Sequence, residues 1–121
     1  MNLPDYIASK MLLPFEYGMN DCILFSIGWV NLVTGKDYLD GMTWANEKEA
    51  LREVKKQGGL IAAFDARFNR IEPNYAQDGD LTICDGVSSL FSGAQIISVS
   101  KQGLVYKSRL LATNAWSAKN A

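Results

Sequence analysis

The spacing of the apolar residues changes near residue 70, and this change limits the folds open to the chain more than any other feature. Before residue 70, apolar side chains recur at the three- and four-residue intervals of amphipathic helices. After it, "DLTICD" alternates as a strand does, and "AQIISVS" and "GLVYKS" are β-rich runs. Helices followed by strands predict an α+β domain, with the N-terminal helices packed on a small antiparallel sheet from the C-terminal half.

Four helices are predicted, over residues 3–11, 21–33, 46–57 and 60–68. Pro4 suits the first turn of the first helix, and Asn20 is the predicted N-cap of the second. Gly35 is expected to end that helix in the left-handed conformation. Asn46 and Glu49 have the spacing of a capping box. The predicted inner faces are Ile7, Met11 and Leu12 in the first helix, Cys22, Phe25, Ser26, Trp29, Val30 and Val33 in the second, and Ile61, Phe64 and Phe68 in the fourth.

The strands are predicted at residues 80–85, 94–100 and 103–108. A turn at Lys101-Gln102-Gly103 separates the last two strands, which therefore read as a hairpin. With 121 residues the chain is expected to form a single domain, 1–121. The last five residues, "SAKNA", are expected to be a loose end.

Charge and hydropathy exclude several classes of protein. The net charge is −1, and the lysines and arginines are scattered, so nucleic-acid binding is not predicted. No apolar run reaches the ~20 residues that span a bilayer, so membrane insertion is not predicted. The opening "MNLPDYIASKMLLPF" lacks the basic-then-apolar pattern of a signal peptide. The expected compartment is a reducing cytosol, until the protein joins a larger assembly.

The two cysteines, Cys22 and Cys84, are too few for a disulfide framework, although one bridge between them remains open. The chain contains no histidine, so it has too few nitrogen and sulfur ligands for a closed zinc site. No cofactor and no metal are predicted for the chain alone. A thiol-based metal or cluster site completed by a partner chain remains an alternative.

The segment "YGMNDCILF", Tyr17 to Phe25, places Cys22 in the first turn of an apolar helix, a common position for a catalytic cysteine. Such a cysteine needs a general base, usually histidine, and the chain has none. Asp21 is expected to be a helix-start charge. Asp80 and Asp85 flank the first strand, where turn formation is the simpler role. Tyr17 is expected to line the cleft beside Cys22.

Several short motifs follow one another in a characteristic order along nearly the whole chain. They are "PFEYGMNDC" at 14–22, "TGKDY" at 34–38, "GGL" at 58–60, "AQDGDL" at 76–81, "ICDG" at 83–86, "GLV" at 103–105 and "AW" at 115–116. Their order resembles the NlpC-type branch of papain-like cysteine peptidases. More closely, the chain resembles a family of small phage-encoded proteins that are found among tail-assembly genes.

The resemblance implies a papain-like, NlpC-like fold with Cys22 at the nucleophile position and Gly79-Asp80 at the start of the central sheet. In active members a histidine base stands near the start of the second strand, which corresponds here to residues 88–95, "SSLFSGAQ". That stretch contains no base. Losing the triad histidine of a serine protease costs about a million-fold in rate. The resemblance therefore implies a degenerate peptidase rather than a working one.

The expected function is a non-catalytic structural or assembly component of a phage tail, at the tip or baseplate near the hub. Expected partners are other tail proteins, namely hub, distal tail or tape-measure proteins. A protein with this function is expected to be synthesised in the bacterial cytoplasm and to be located finally in the virion tail. The alternative is an active endopeptidase of NlpC type that acts on peptidoglycan with a base from a partner chain.

Aromatic residues are candidates for the protein interface that a tail component needs. The aromatic side chains predicted to lie on the surface at such an interface are Trp44, Tyr38, Tyr75 and Trp116. For Trp116, a position in the core is equally expected. The candidate binding residues as a set are Tyr17, Asp21, Asp80, Trp44 and Trp116.

Overall fold

The structure, a computed structural model, describes residues 1–118 as a mixed α+β fold with four α-helices and one six-stranded antiparallel sheet. The helices are α1 (Leu3–Met11), α2 (Cys22–Thr34), α3 (Glu47–Lys56) and α4 (Leu60–Asp65). The strands are β1 (Asn69–Arg70), β2 (Leu81–Cys84), β3 (Val87–Ser92), β4 (Gln95–Ser100), β5 (Gly103–Ser108) and β6 (Trp116–Ser117). Their order across the sheet is β1-β6-β2-β3-β4-β5, with all neighbouring strands antiparallel. The predicted α+β class is confirmed.

Helix α2 is the central helix, and it packs against β3 and β4 with Phe25 and Val30 fully buried. It ends as predicted, at Gly35 in the left-handed conformation (φ 72°). Its predicted N-cap, Asn20, is wrong by one residue. The cap is Asp21, whose side chain accepts a hydrogen bond from the Leu24 N–H.

Helix α1 has the predicted bounds but a different inner face. Leu3, Tyr6 and Ile7 are buried, and the Tyr6 hydroxyl donates to the Phe25 carbonyl oxygen (2.6 Å). Met11 and Leu12, which were predicted to face inward, are exposed. Met11 is the last residue of α1 and Leu12 is its C-cap, so the chain leaves the helix before either side chain reaches the core.

The predicted cap of α3 is confirmed, because the Asn46 side chain accepts from the Glu49 N–H and donates to the Glu49 carboxylate. Helix α4 is shorter than predicted and ends at Asp65. Ile61 is exposed, whereas Phe64 and Phe68 are buried in the main core. Phe68 stays on the inner face beyond the end of α4 because its N–H still donates to the Phe64 carbonyl oxygen (2.8 Å), four residues back.

The strands at 81–84, 95–100 and 103–108 and the terminal hairpin match the sequence prediction. Strands β1, β3 and β6 were not predicted. Two residues are too few to show alternation in β1 and β6, and adjacent serines and adjacent apolar residues interrupt the alternation in β3. The prediction of a loose end is wrong for Ser117, which pairs with Asn69, and for Ala118, whose N–H donates to Asp80. Both residues are buried, and residues 119–121 lie outside the described part of the chain. Within residues 1–118, no helix has the length and apolar character needed to cross a bilayer.

Candidate functional site

Cys22 is the first residue of α2 and lies where the helix begins against the sheet. It lines a cleft of about 370 Å³ at the end of the sheet that carries the β2–β3 and β4–β5 turns. Cys84, the last residue of β2, lines the same cleft, and both cysteines are free thiols. The fold thus brings together two thiols that lie 62 positions apart in the sequence.

The carboxylate of Asp21 holds the start of α2 in place. One oxygen accepts from the Leu24 N–H (2.9 Å), and the other accepts from the Gly18 N–H (2.9 Å) and from the Trp44 indole N–H (2.7 Å). Asp21 and Trp44 are both buried. Both predicted binding residues therefore serve to join the loop before α2, the helix start and the segment before α3.

Burial raises the pKa of the Cys22 thiol above its ordinary value. The backbone N–H of Ser88 opposes this shift in part by hydrogen bonding to the sulfur, and the charge of Asp21 adds to it. The neutral thiol therefore dominates at neutral pH, although the sulfur lies at a helix start. A working cysteine nucleophile has the opposite shift, towards the thiolate.

The stretch in which the resemblance places a base lies next to Cys22, but its side chains have other partners. Ser88 shares a short hydrogen bond with Ser26 of α2, and its carbonyl oxygen accepts from the Ser98 hydroxyl (2.6 Å). All three serines are buried. They form a polar layer between α2 and the sheet, and a serine hydroxyl is not a base at neutral pH.

Among the described residues, the ionisable side chains that line the cleft are Tyr17, Cys22, Cys84, Lys101 and Lys107. The pKa of Tyr17 is raised, chiefly by burial and then by the charge of Glu47. The pKa of Lys107 is raised by its hydrogen bond to Asp85 (3.0 Å). Both groups therefore stay protonated at neutral pH, and a lysine ammonium donates without accepting. Neither can take the proton of the Cys22 thiol.

Lys101, at the tip of the β4–β5 turn, lies over the ring of Tyr17, with its Nζ 5.9 Å from the ring centroid. Lys101, Lys107 and Cys84 were not identified from the sequence as members of this site. The alternation of β5 places Lys107 on one face with Val105, but only the pairing of β5 with β4 brings that face beside Cys22.

Asp80 is buried away from Cys22, at the start of β2. Its carboxylate accepts from the Gln77 N–H (2.8 Å) and the Ala118 N–H (3.0 Å). Gly79 before it has φ 91°, and a Cβ at this position would collide with the indole of Trp29. Gly79 and Asp80 thus form a turn that packs against the buried indole of Trp29. All three residues line a second cleft, of about 450 Å³. Asp80 is not part of the cleft that Cys22 lines.

The predicted aromatic interface is wrong for its two tryptophans. Trp116 is fully buried, packs edge-on against Phe64, and donates from its indole N–H to Asp65 (2.9 Å). Its core role, the alternative prediction, is confirmed, and Trp44 is buried as described above. Tyr38 is partly buried, which leaves Tyr75 as the exposed member of the set, with 77% of its surface accessible.

The donor set near Cys22 does not form a metal site. Across residues 1–118, no three His, Cys, Asp or Glu side chains come together as metal ligands. Two thiols in one cleft supply at most half of a tetrahedral zinc shell, and the carboxylate beside Cys84, that of Asp85, is paired with Lys107.

Cys22 is expected to react slowly with iodoacetamide at neutral pH. Because burial raises the pKa of the thiol, the alkylation rate of the folded protein is expected to rise at a higher pH than the rate of the unfolded chain. The measurement is the alkylation rate against pH in a Cys84→Ser variant, which leaves Cys22 as the one thiol. The same variant unfolded in urea provides the reference. A native rate that exceeds the unfolded rate at pH 7 would contradict the buried, neutral thiol.

The comparisons with known proteins identify a family but no function. No curated protein and no solved structure matches the chain. One family model matches residues 1–118, which is nearly the full length, and its description is Domain of unknown function (DUF6950). By sequence, the chain is therefore a member of the DUF6950 family.

Proposed function

We propose that the protein is a non-catalytic structural or assembly component of a bacteriophage tail, built on a degenerate NlpC-type cysteine peptidase fold. Its expected place is the tail tip or baseplate near the hub, with other tail proteins as partners. One observation carries the non-catalytic part of the proposal. The Cys22 thiol faces a cleft in which no side chain of residues 1–118 is a general base.

The arrangement around Cys22 supports the NlpC-type ancestry. The cysteine begins a helix that packs on an antiparallel sheet, β2 follows the Gly79-Asp80 turn, and the start of β3 faces the sulfur. This is the arrangement that the sequence resemblance implies. The resemblance places the histidine base within residues 88–95, where Ser88 bonds to Ser26 of α2 and Ser89 lines the cleft, and a serine hydroxyl is not a base at neutral pH.

The chemistry of amide cleavage supports inactivity. The nucleophile must lose a proton and the leaving amine must gain one, and a positioned acid or base supplies about 10²- to 10⁴-fold of the rate. Around Cys22 the thiol is held neutral by burial, and the nearby Tyr17 and Lys107 are proton donors. Residues 1–118 therefore place no group beside Cys22 that could take the proton of the thiol and pass it on to the leaving amine.

A structural role requires a surface for other proteins, and several exposed apolar side chains supply one. Leu12, Met19, Tyr75 and Leu110 are all more than two-thirds exposed. Exposed apolar residues mark interaction surfaces in soluble proteins when they cluster, as the consecutive Met11, Leu12 and Leu13 do in sequence. These residues replace Trp44 and Trp116 as the candidates for tail contacts.

Complementation of a gene deletion tests the proposal. In the phage that encodes the protein, deletion of the gene is expected to abolish complete, infectious tails. Supplying the Cys22→Ala variant in trans is expected to restore phage yield to the wild-type level, because the thiol does no chemistry. The Cys84→Ala variant is the matched control, since it removes the second thiol of the same cleft.

Two results would overturn the proposal. The first is a Cys22→Ala variant that folds but supports no phage, while purified wild-type protein releases peptidoglycan fragments. The second is the absence of the protein from both finished virions and tail-assembly intermediates. Presence in intermediates alone would identify an assembly factor rather than a virion component.

The alternative function is an NlpC-type endopeptidase that acts on peptidoglycan with a base from a partner chain. The cleft that Cys22 lines favours this alternative, because it has room for a side chain from a partner chain beside the partly buried cysteine. It predicts that peptidoglycan release appears only when the tail partners are added and disappears in the Cys22→Ala variant.

A further inference from the structure

Strand β5 is the last strand of the sheet, so within residues 1–118 one of its sides pairs with β4 and the other side meets no strand. Its whole length pairs with β4 in an unbroken register, from Ser108 opposite Gln95 to Gly103 opposite Ser100. Hydrogen-bonded and non-hydrogen-bonded residue pairs alternate along an antiparallel ladder. The Arg109 N–H donates to the Ala94 carbonyl oxygen (3.0 Å), and this bond sets the alternation.

The alternation assigns the backbone groups of β5 to two sides. Val105 and Lys107 direct their N–H and C=O groups towards β4. Leu104, Tyr106 and Ser108 direct theirs away from β4, and we refer to this outward row as the β5 edge. Such a row of backbone donors and acceptors is a template for another extended chain.

The β5 edge lacks the features that keep edge strands of monomeric proteins apart. The strand "GLVYKS" contains no proline, and its register shows no bulge. Its one charged side chain, Lys107, forms an ion pair (3.0 Å) with Asp85, which lies in the turn between β2 and β3. Tyr106, at the centre of the edge, is 47% exposed.

We propose that the β5 edge pairs with the same edge of a second copy of this chain, antiparallel and about a two-fold axis at Tyr106. In this register Tyr106 faces its own counterpart, Leu104 faces Ser108, and Val105 faces Lys107. No two like charges lie directly opposite, and aromatic pairs across strands are favourable. The outward N–H and C=O groups of both copies are then satisfied, and the two sheets become continuous.

The two ends of the β5 edge are also complementary to each other. Met11 and Leu13 lie at one end, where they line a small cavity with Gly103 and Leu104. The exposed Leu110 and Leu111 follow the other end directly. Antiparallel pairing brings Met11 and Leu13 of each copy towards Leu110 and Leu111 of the other copy. An isologous interface requires such a reciprocal contact. This self-complementarity favours a second copy over an unrelated strand.

Sedimentation equilibrium of the purified full chain tests the proposal. The wild type is expected to be in monomer–dimer equilibrium, and Tyr106→Lys is expected to weaken dimerisation about tenfold, because like charges then face each other across the axis. Tyr106→Glu is expected to weaken it similarly. An equimolar mixture of the two variants is expected to regain dimerisation, because opposite charges then face each other. Leu51→Lys, at an exposed leucine of α3, is the control and is expected to leave the dimerisation constant unchanged.

Hydrogen exchange of the wild type provides a second test that needs no variant. The amides of Leu104, Tyr106 and Ser108 are expected to become protected as protein concentration rises, while those of Val105 and Lys107 are protected at every concentration. A wild type that stays monomeric at high micromolar concentration would overturn the proposal. So would a dimer that is insensitive to Tyr106→Lys, or one whose Tyr106 amide exchanges freely.

Discussion

Replacing Asp21 with alanine is expected to lower the free energy of unfolding by about 3 to 5 kcal/mol. The carboxylate is almost fully buried and accepts three hydrogen bonds, from Leu24, Gly18 and Trp44. Its loss removes the N-cap of α2, which is worth about 1 kcal/mol. It also leaves a buried indole N–H and a partly buried loop N–H without acceptors, at about 1 to 2 kcal/mol each.

Urea denaturation followed by tryptophan fluorescence measures this loss, and Asn46→Ala is the matched control. Asn46 caps α3 in the same way, but it is exposed, so its removal is expected to cost only about 1 kcal/mol. Asp21→Asn is expected to fall between the two, because the amide keeps one acceptor but turns its NH₂ towards the other donors. Equal losses for Asp21→Ala and Asn46→Ala would mean that the extra hydrogen bonds of Asp21 contribute nothing.

Replacing Trp116 with alanine is expected to cost about 3 to 5 kcal/mol, because it leaves a large cavity between α4 and the sheet. The indole is fully buried against Phe64, and Arg70 stacks over it with its guanidinium carbon 5.1 Å from the ring centroid. Loss of the side chain also frees the end of β6, which pairs with β1 and β2 through Trp116.

Thermal and urea denaturation test this prediction, with Trp116→Phe and Tyr75→Ala as comparisons. Trp116→Phe keeps most of the ring packing and removes the bond to Asp65, so about 1 to 2 kcal/mol is expected. That bond and the stronger one from Arg70 hold the pKa of Asp65 down at about 2. Tyr75→Ala is expected to change stability by less than about 0.5 kcal/mol, because Tyr75 is exposed. A Trp116→Ala variant with wild-type stability would contradict the core role of Trp116 and make it a candidate interface residue again.

The start of α2 illustrates the limit of prediction from sequence. Asn20 and Asp21 are adjacent, and both residue types are good N-caps, so local propensity does not choose between them. The choice is made by Trp44, which lies 23 positions further along the chain and donates to Asp21 rather than to Asn20. Asn20 instead donates its amide to the carbonyl oxygens of Leu13 and Pro14.

The candidate site was predicted only where its signal is local. Cys22 at a helix start is visible in a single stretch of sequence, and so is the lack of a histidine. Cys84, Lys101 and Lys107 carry no such signal, because the pairing of β2 with β3 and of β4 with β5 brings them into the cleft. Predicting them needs the pairing of strands that are distant from α2 in sequence.

By itself the sequence determined the α+β class, three of the strands, the end of α2 at Gly35 and the absence of imidazole from the chain. These properties depend on residue types and spacings within one element, which are local. Only the tertiary structure decided that Trp44 and Trp116 are core residues, that Asp21 and Asp80 bind backbone N–H groups, and that both thiols share one cleft. Burial and hydrogen-bond partners depend on contacts between residues far apart in the chain, and apolar composition does not specify which aromatic side chain reaches the core.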